Sequence, residues 1–217
     1  MHRLDRPHGS APECLSDFDY RTNTWDDVKS ECKAQIRDSL VAMQGHRCAY
    51  CESSIKFASS HIEHFRRKGG PPPQPNRHRT FDWDNLFLAC QSLTHCGHYK
   101  DRRDAPAYDP DDLIKPDIED PHTLLYFYKN GAIRPRKALS NDEMLRANAT
   151  VRVFGLDNQQ LAAQRRKAAE RYAQNGDLSV VQTWSPEDRR DWVNLEIEAI
   201  KDAPYFSTIL HLLERTS

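Results

Sequence analysis

The stretch CAYCES, residues 48–53, places two cysteines with two residues between them, and the interpretation of the chain starts there. A second pair, Cys90 and Cys96, follows further along with five residues between its members. Two close pairs separated by a loop are the usual way in which a protein assembles a tetrahedral Zn²⁺ site. The spacing therefore predicts that Cys48, Cys51, Cys90 and Cys96 hold a structural Zn²⁺ that fastens the two ends of a small domain.

Other interpretations of the cysteines stay open at this point. A C-x2-C pair also occurs in thioredoxin-like redox proteins, but those need a βαβ context that the surrounding sequence lacks. The four residues could instead be buried or free thiols. Cys14 and Cys32 stand alone, and we expect neither to form a disulfide in a reducing cytosol. Cys32 falls on an apolar helical stripe, which predicts a place in the core.

The composition excludes several classes of protein. No apolar run is long enough to span a membrane, and the first fifteen residues lack the apolar core of a secretory signal, so we expect a cytoplasmic location. A net charge of −1 argues against a protein that coats DNA non-specifically. The charge is uneven, because residues 66–79 contain lysine and arginine but no acid, whereas residues 101–120 contain eight acids. This pattern indicates selective contact with phosphates.

Helical and hairpin patterns surround the cysteine region. Apolar residues at helical spacing between Val28 and Met43 predict a helix that Thr24 caps and Gly45 ends. Asn130-Gly131 supplies the tight turn of a predicted hairpin over residues 124–136. Further apolar stripes predict helices over residues 144–154, 157–172 and 186–200, and a last helix over residues 205–213. Asp157 is the expected cap of the second of these helices.

These elements predict the α+β class, with a small mixed centre and helices before and after it. We divide the chain into an N-terminal segment and helix (residues 1–45), a core (46–104), and a hairpin with a C-terminal helical region (105–217). The Gly- and Pro-rich part of residues 66–79 is predicted to be a mobile loop inside the core.

The stretch HIEHF, residues 61–65, contains two histidines and a glutamate between the cysteine pairs. Asn85 also lies between the pairs, and His98 follows Cys96 by two residues. A zinc ion that joins the pairs would therefore bring Glu63, His64, Asn85 and His98 into one neighbourhood. His61 shares a strand face with Glu63, so it is a candidate partner or ligand, or else an ordinary residue of a strand edge.

The combined pattern C-x2-C, E-H, N-L-x3-C and C-x-H-x-K resembles the HNH, or ββα-metal, nuclease motif. Its elements here are Cys48-Cys51, Glu63-His64, Asn85-Leu86-Cys90 and the segment from Cys96 through His98 to Lys100. The chain departs from the family in its stretched second cysteine pair and in Gly97, which separates Cys96 from His98. Both His98 and His95 are therefore candidates for the last position of the motif. The resemblance implies a zinc-clipped ββα-metal core with flanking N- and C-terminal helices.

A wider resemblance extends over most of the chain. HIEHFRRK, FDWDNLFLAC, HCGHYKD, YDPDDLIKPD and VRVFGLD are similar to the HNH protein of Septu-type bacterial defence systems, a PtuB-like family. The resemblance implies an ABC-type ATPase partner that is PtuA-like. Some relatives accompany retrons, so a retron reverse transcriptase with its msDNA is a further possible partner. No membrane partner is implied.

The resemblance also implies a role for each residue of the motif. His64 would be the general base that activates water against a phosphodiester, because a neutral imidazole accepts a proton near pH 7. Glu63 and His98 would hold a catalytic divalent cation, with Mg²⁺ or Mn²⁺ favoured. Asn85 would brace the loop that carries His64, although a plain turn residue is an equal interpretation.

Four cations near the motif are candidates for contact with substrate phosphates. Arg66, Arg67 and Lys68 leave the HIEHF strand directly, and they are either phosphate contacts or part of a solvated loop. Lys100 lies two residues beyond His98, and it is a better candidate for phosphate contact than the other three.

Three hypotheses for function follow. The first is a metal-dependent HNH endonuclease, the effector of an anti-phage defence system, that hydrolyses phosphodiester bonds of nucleic acid. The second is a non-catalytic zinc module that binds nucleic acid or protein. The third, which is compatible with the first, is a zinc-stabilised scaffold whose helices after residue 140 dock a partner. The acid and imidazoles of the motif favour the first hypothesis, because a binding module has no need of them.

Overall fold

Short antiparallel hairpins and helices alternate along the chain in the computed structural model, which describes residues 1–6, 11–69, 74–175 and 178–215. The α-helices of this part are α1 (Ser30–Gln44), α2 (Cys96–Lys100), α3 (Asn141–Val153), α4 (Gln159–Asn175), α5 (Leu178–Val181), α6 (Pro186–Ile200) and α7 (Phe206–Leu213). The strands are β1 (Ser60–His64), β2 (Leu86–Cys90), β3 (Leu125–Phe127) and β4 (Ile133–Pro135). The fold is therefore of the predicted α+β class.

Strands β1 and β2 and helix α2 form a ββα unit. The two strands pair antiparallel, with Ser60 opposite Cys90 and His64 opposite Leu86. Every residue of β2 is buried, because α1 and the cysteine knuckle cover its outer edge. The Gln44 side chain accepts a hydrogen bond from the Leu88 N–H at 3.0 Å and donates one to the Leu88 carbonyl at 2.9 Å. The backbone of Leu88 is therefore paired at this edge of the sheet.

Helix α1 begins later than the sequence predicts. Thr24 and Asp27 do form a capping box, but it starts a separate 3-10 helix, Trp25–Asp27. Val28 then has an extended backbone, with φ −70° and ψ 113°, so the chain leaves the helical conformation before α1. The predicted end is confirmed, since Gly45 has a φ of +66° that favours glycine.

Cys14 and Cys32 form a disulfide, so the prediction that neither would pair is wrong. Cys14 belongs to the 3-10 helix Glu13–Asp17, which packs across the start of α1 and brings the two Cα atoms within 5.7 Å. A separation of 18 residues with no motif contains no signal for this pairing. Cys32 is buried in the core, as its place on the apolar stripe predicts.

The hairpin predicted around Asn130-Gly131 is confirmed by β3 and β4. Gly131 has a φ of +85°, and a side chain there would clash with the backbone of Ala162, so both the turn and the approach of α4 need glycine. Helix α4 is capped by Asn158, whose Oδ1 accepts from the N–H of Gln160 at 3.0 Å. The expected cap was Asp157, one residue earlier.

The main hydrophobic core extends from Met1 to Leu161 and includes side chains from each of the three predicted segments of the chain. A smaller core between α6 and α7 contains Val193, Ile200, Ile209 and Leu213. Residues 70–73, which belong to the predicted mobile loop, lie outside the described residues. Among the described residues, no helix has both the length and the apolar character that crossing a lipid bilayer requires.

The start of α7 is fastened to the cysteine knuckle through Glu52. Glu52 is buried, and its carboxylate accepts from the Ser207 N–H at 2.8 Å. Its backbone carbonyl accepts from the Tyr205 N–H at 3.0 Å. The C-terminal helices are therefore bonded directly to the turn that contains Cys48 and Cys51.

Candidate metal centre and adjoining cleft

The four cysteines of the two predicted pairs meet in a buried cluster. Their sulfur atoms all lie within 4.8 Å of one another, with 3.7 Å between Cys48 and Cys96 and 3.9 Å between Cys51 and Cys90. Four thiolates at about 2.3 Å from a tetrahedral Zn²⁺ would have their sulfurs about 3.8 Å apart. The cluster therefore has the donor atoms and the spacing of a structural zinc site.

Three separate elements supply these thiols. Cys48 and Cys51 lie in the knuckle closed by the Arg47–Ser54 bridge, Cys90 ends β2, and Cys96 begins α2. Cys96 has a φ of +65°, which turns the chain sharply from the loop after β2 into α2. The five residues between Cys90 and Cys96 thus lead to a turn that aims the last sulfur at the other three.

The thiols of the cluster differ in their tendency to ionise. Burial raises the pKa of the Cys48 and Cys96 thiols well above their usual range, whereas a hydrogen bond from Cys48 lowers that of Cys90 to about 6. Burial alone would lower the pKa of His95, but hydrogen bonds with the Cys51 and Cys90 thiols raise it to about 9. A dication bound by all four sulfurs would therefore have to displace the protons of Cys48 and Cys96.

A second group of polar side chains surrounds an open cleft of about 350 Å³ beside β1 and α2. The lining residues are His61, Ile62, Glu63, His64, Arg67, Lys68, Gly69, Gly97, His98 and Asp101. The structure thus brings Glu63, His64 and His98 to one cleft. In the described part of the chain the four cysteines are the one group of three or more potential ligands whose donor atoms converge for a metal ion.

Glu63 is held ionised at the floor of this cleft. One carboxylate oxygen, Oε1, lies 2.9 Å from the Lys100 ammonium, and the other, Oε2, lies 3.2 Å from His61 Nε2. Burial opposes ionisation, but the Lys100 charge and the His61 hydrogen bond lower the pKa of Glu63 to about 2. Glu63 is therefore a carboxylate at neutral pH, with Oε2 on the side of the histidines.

The rings of His61 and His98 stack at 3.9 Å, tilted by 20°. His98 Nε2 also lies 2.7 Å from Gln91 Oε1. Gly97 lets Glu63 and His61 pack closely against α2, since a Cβ there would clash with Glu63 Oε2 and come within 2.8 Å of His61 Nε2. One carboxylate and two imidazoles are ligand types that suit a divalent cation.

His64 occupies the opposite wall of the cleft with a defined tautomer. Its Nε2 lies 3.0 Å from the Thr80 carbonyl, which only accepts, so Nε2 carries the proton and Nδ1 is the basic nitrogen. The ring packs edge-on against Trp25 at 4.5 Å. Burial and the Lys68 charge lower the pKa of His64 to about 4, so the imidazole is neutral and able to accept a proton at neutral pH.

Asn85 joins the two chain segments beside His64. Its Oδ1 accepts from the Arg66 N–H at 2.7 Å, and its Nδ2 donates to the carbonyls of Arg66 at 3.1 Å and Arg79 at 2.9 Å. The first segment continues β1 directly from His64. The second precedes Thr80, whose carbonyl orients the His64 ring.

The four predicted phosphate contacts have different surroundings. Arg67 and Lys68 line the cleft. Arg66 instead forms an ion pair with Asp111. Lys100 is fully buried, and its ammonium contacts Glu63, the Asp101 carboxylate at 2.7 Å and the His64 carbonyl at 3.1 Å. Lys100 is therefore not placed for the expected phosphate contact, because its ammonium is buried in ion pairs with Glu63 and Asp101.

The two candidate histidines for the last motif position are separated by the structure. His95 Nδ1 lies 3.1 Å from Cys96 Sγ and 3.8 Å from Cys90 Sγ, so this ring belongs to the sulfur cluster. His98, the third residue of α2, belongs to the cleft. Sequence reasoning missed the contacts of Trp25 and Thr80 with His64, because no motif links those positions.

The comparison with known proteins agrees with this arrangement. The chain is 27% identical over 145 residues to a Vibrio cholerae protein (serotype O1, biovar El Tor) named "Retron Vc95 putative HNH endonuclease". The match covers 64% of this chain and 65% of the relative, so it spans just under two thirds of that protein. No protein-family model matches the chain. The ββα unit, the sulfur cluster and this similarity together support the class of HNH endonucleases.

Proposed function

We propose that the protein is a metal-dependent HNH endonuclease that hydrolyses phosphodiester bonds of nucleic acid. One observation above all supports the proposal. A neutral imidazole with a defined basic nitrogen, His64, shares an open cleft with an ionised carboxylate, Glu63, and with the imidazoles of His61 and His98. A zinc module that only binds has no use for this combination of base and cation ligands.

His64 is the proposed general base. Its Nδ1 takes a proton from a water molecule as that water attacks the phosphorus, while the Nε2 hydrogen bond to the Thr80 carbonyl stabilises the imidazolium that forms. Asn85 keeps the two supporting segments in place, so the ring does not need to reorient during the reaction.

Glu63 and His98 are the proposed ligands of the catalytic cation, with His61 as a third. Mg²⁺ or Mn²⁺ bound there would stabilise the charge that develops on the phosphate and on the leaving 3′ oxygen. The Lys100 ammonium forms an ion pair with Glu63 Oε1, so Glu63 Oε2 remains directed to the histidines. Arg67 and Lys68, at the rim, contact phosphates on either side of the scissile bond.

The sulfur cluster has a structural role in this proposal. Zn²⁺ held by Cys48, Cys51, Cys90 and Cys96 fixes the end of β2 and the start of α2, and so fixes the distance between His98 and β1. Residues 46–104 then form the nuclease core, flanked by residues 1–45 and 105–217.

The biological setting is proposed from the resemblance to Septu-type proteins and from the retron in the relative's name. The nuclease acts in the bacterial cytoplasm as the effector of an anti-phage defence system. An ABC-type, PtuA-like ATPase is the proposed partner, and a retron reverse transcriptase with its msDNA is a second one.

Cleavage assays test the proposal directly. The purified protein, with and without the ATPase encoded beside it, is incubated with plasmid, phage DNA and total cellular RNA in Mg²⁺ or Mn²⁺. We expect cleavage of at least one substrate and complete inhibition by EDTA. Binding without cleavage under every condition would favour the alternative function, a non-catalytic zinc module that binds nucleic acid or protein.

A further inference from the structure

The outward face of the β3–β4 hairpin has an unusual combination of aromatic and basic side chains. Leu125 and Phe127 point into the core, so the alternation of the strand turns Tyr126 outward, directly opposite Arg134 on β4. Tyr128 follows two residues later on the same face. The proposed nuclease reaction uses none of these residues.

Tyr126 and Tyr128 line a cleft of about 360 Å³. Its lining consists of Tyr126, Tyr128, Pro135, Arg136, Lys137 and Arg215. This set contains three cations and no acid. Glu214 lies near the rim, 3.8 Å from the Arg136 guanidinium. A cleft with this lining attracts anionic ligands.

The aromatic part of the cleft is held in place before any ligand binds. The Tyr126 ring stacks at 4.6 Å and 11° on His211, which is buried, and meets Tyr128 edge-on at 4.8 Å. The guanidinium of Arg136 lies 5.3 Å from the centroid of Tyr126 and donates to the His122 carbonyl. These side chains are already ordered, so binding a ligand here costs little conformational entropy.

We propose that this face binds single-stranded nucleic acid. Bases would stack against the tyrosines, with Tyr128 as the outer platform, while Arg136, Lys137 and Arg215 contact the phosphates of the same strand. An acidic peptide would satisfy the cations but would leave the paired aromatic rings without a matching group, so a polynucleotide fits the lining better. The proposal concerns binding alone and does not depend on the nuclease reaction.

The test measures binding of the full-length protein in EDTA, so that nothing is cut. Fluorescence anisotropy measures the binding of fluorescein-labelled oligo-dT and oligo-U, each about 20 nucleotides long, over a range of salt concentrations. The variants are Lys137→Glu and Tyr128→Leu, and the matched control is Lys201→Glu, the same charge reversal at an exposed position outside the cleft. An unlabelled oligoglutamate peptide is the competitor.

We expect Tyr128→Leu to weaken binding about fivefold or more. Lys137→Glu should weaken it and lower the log–log salt slope by about 0.7 or more, while Lys201→Glu binds as the wild type does. Photo-crosslinks from a 5-iodouracil oligonucleotide should map to Tyr126 or Tyr128. The proposal is overturned if both cleft variants bind like the control, if crosslinks map only to residues 61–69 or 97–101, or if oligoglutamate competes as well as the oligonucleotide.

Discussion

The sulfur cluster and the adjoining cleft lie on the same ββα unit but differ in almost every physical property. The cluster is buried, has only thiol donors and has four of them at tetrahedral spacing. The cleft is open to solvent and combines a carboxylate, imidazoles and cations. A closed four-ligand site suits a structural ion, whereas a reactive cation needs an open position for water and substrate. In the proposed function, one ββα unit therefore contains a site that holds the fold and a separate site that performs the chemistry.

The largest effect should follow loss of one sulfur ligand. We expect Cys48→Ser to lose zinc and to lower the free energy of unfolding by several kcal/mol, on the order of half of a structural zinc's contribution. Zinc content by mass spectrometry and thermal unfolding by circular dichroism measure the two effects. If the variant keeps the wild-type melting temperature and zinc content, the cluster does not hold the fold together.

His64→Ala should affect cleavage and not zinc content, in contrast to Cys48→Ser. Cleavage should fall about 100- to 10,000-fold because the water loses its base, while zinc content stays the same. His46→Ala is a control that removes an exposed histidine outside the cleft. Cleavage rates of the three proteins under identical Mg²⁺ conditions provide the comparison. Wild-type cleavage by His64→Ala would remove that residue from the reaction.

Gly97→Ala tests the space between the histidines and Glu63. The added Cβ clashes with Glu63 Oε2, so the carboxylate must move away from the proposed cation position. We expect Mn²⁺ affinity, followed by electron paramagnetic resonance, to fall about 10- to 100-fold while zinc is retained. Gly69→Ala, where a Cβ meets no atom within 4 Å, is the matched control. Equal Mn²⁺ affinity in both variants would contradict the position assigned to the cation.

The smallest effects should distinguish two histidines that lie three residues apart. His98→Gln should weaken Mn²⁺ binding about tenfold and leave thermal stability unchanged, because the ring lies in the open cleft. His95→Gln should leave Mn²⁺ binding unchanged and cost about 1 kcal/mol of stability, because it loses a hydrogen bond to the thiolates. If His95→Gln weakens Mn²⁺ binding and His98→Gln lowers stability, the assignment of His95 to the cluster and of His98 to the cleft is wrong.

Much of this comparison could be predicted from short-range patterns. Asn130-Gly131 predicts the hairpin because a tight turn depends on local chain geometry. The close spacing within each cysteine pair predicts that the two pairs meet, because a tetrahedral zinc site needs four ligands. Strand alternation also places His61 beside Glu63, where the structure has it. The candidate cleft follows once the cluster of four cysteines joins the ends of the motif.

The rest depends on contacts between distant segments. The Cys14–Cys32 disulfide requires a 3-10 helix to pack across α1, which no spacing rule indicates. Lys100 is flanked by polar residues in HYKD and resembles a surface lysine, yet it is buried because Glu63 and Asp101 converge on it. An ion pair of this kind depends on the assembled fold and cannot be deduced from neighbours in sequence.

The central claim is that the chain has two metal sites of different kinds. Metal analysis and Mn²⁺ titration of Glu63→Gln, beside the wild type, test it most directly. We predict that both proteins retain one zinc per chain after dialysis against EDTA, and that only the wild type binds one Mn²⁺. Loss of zinc in the variant, or unchanged Mn²⁺ binding, would contradict the claim.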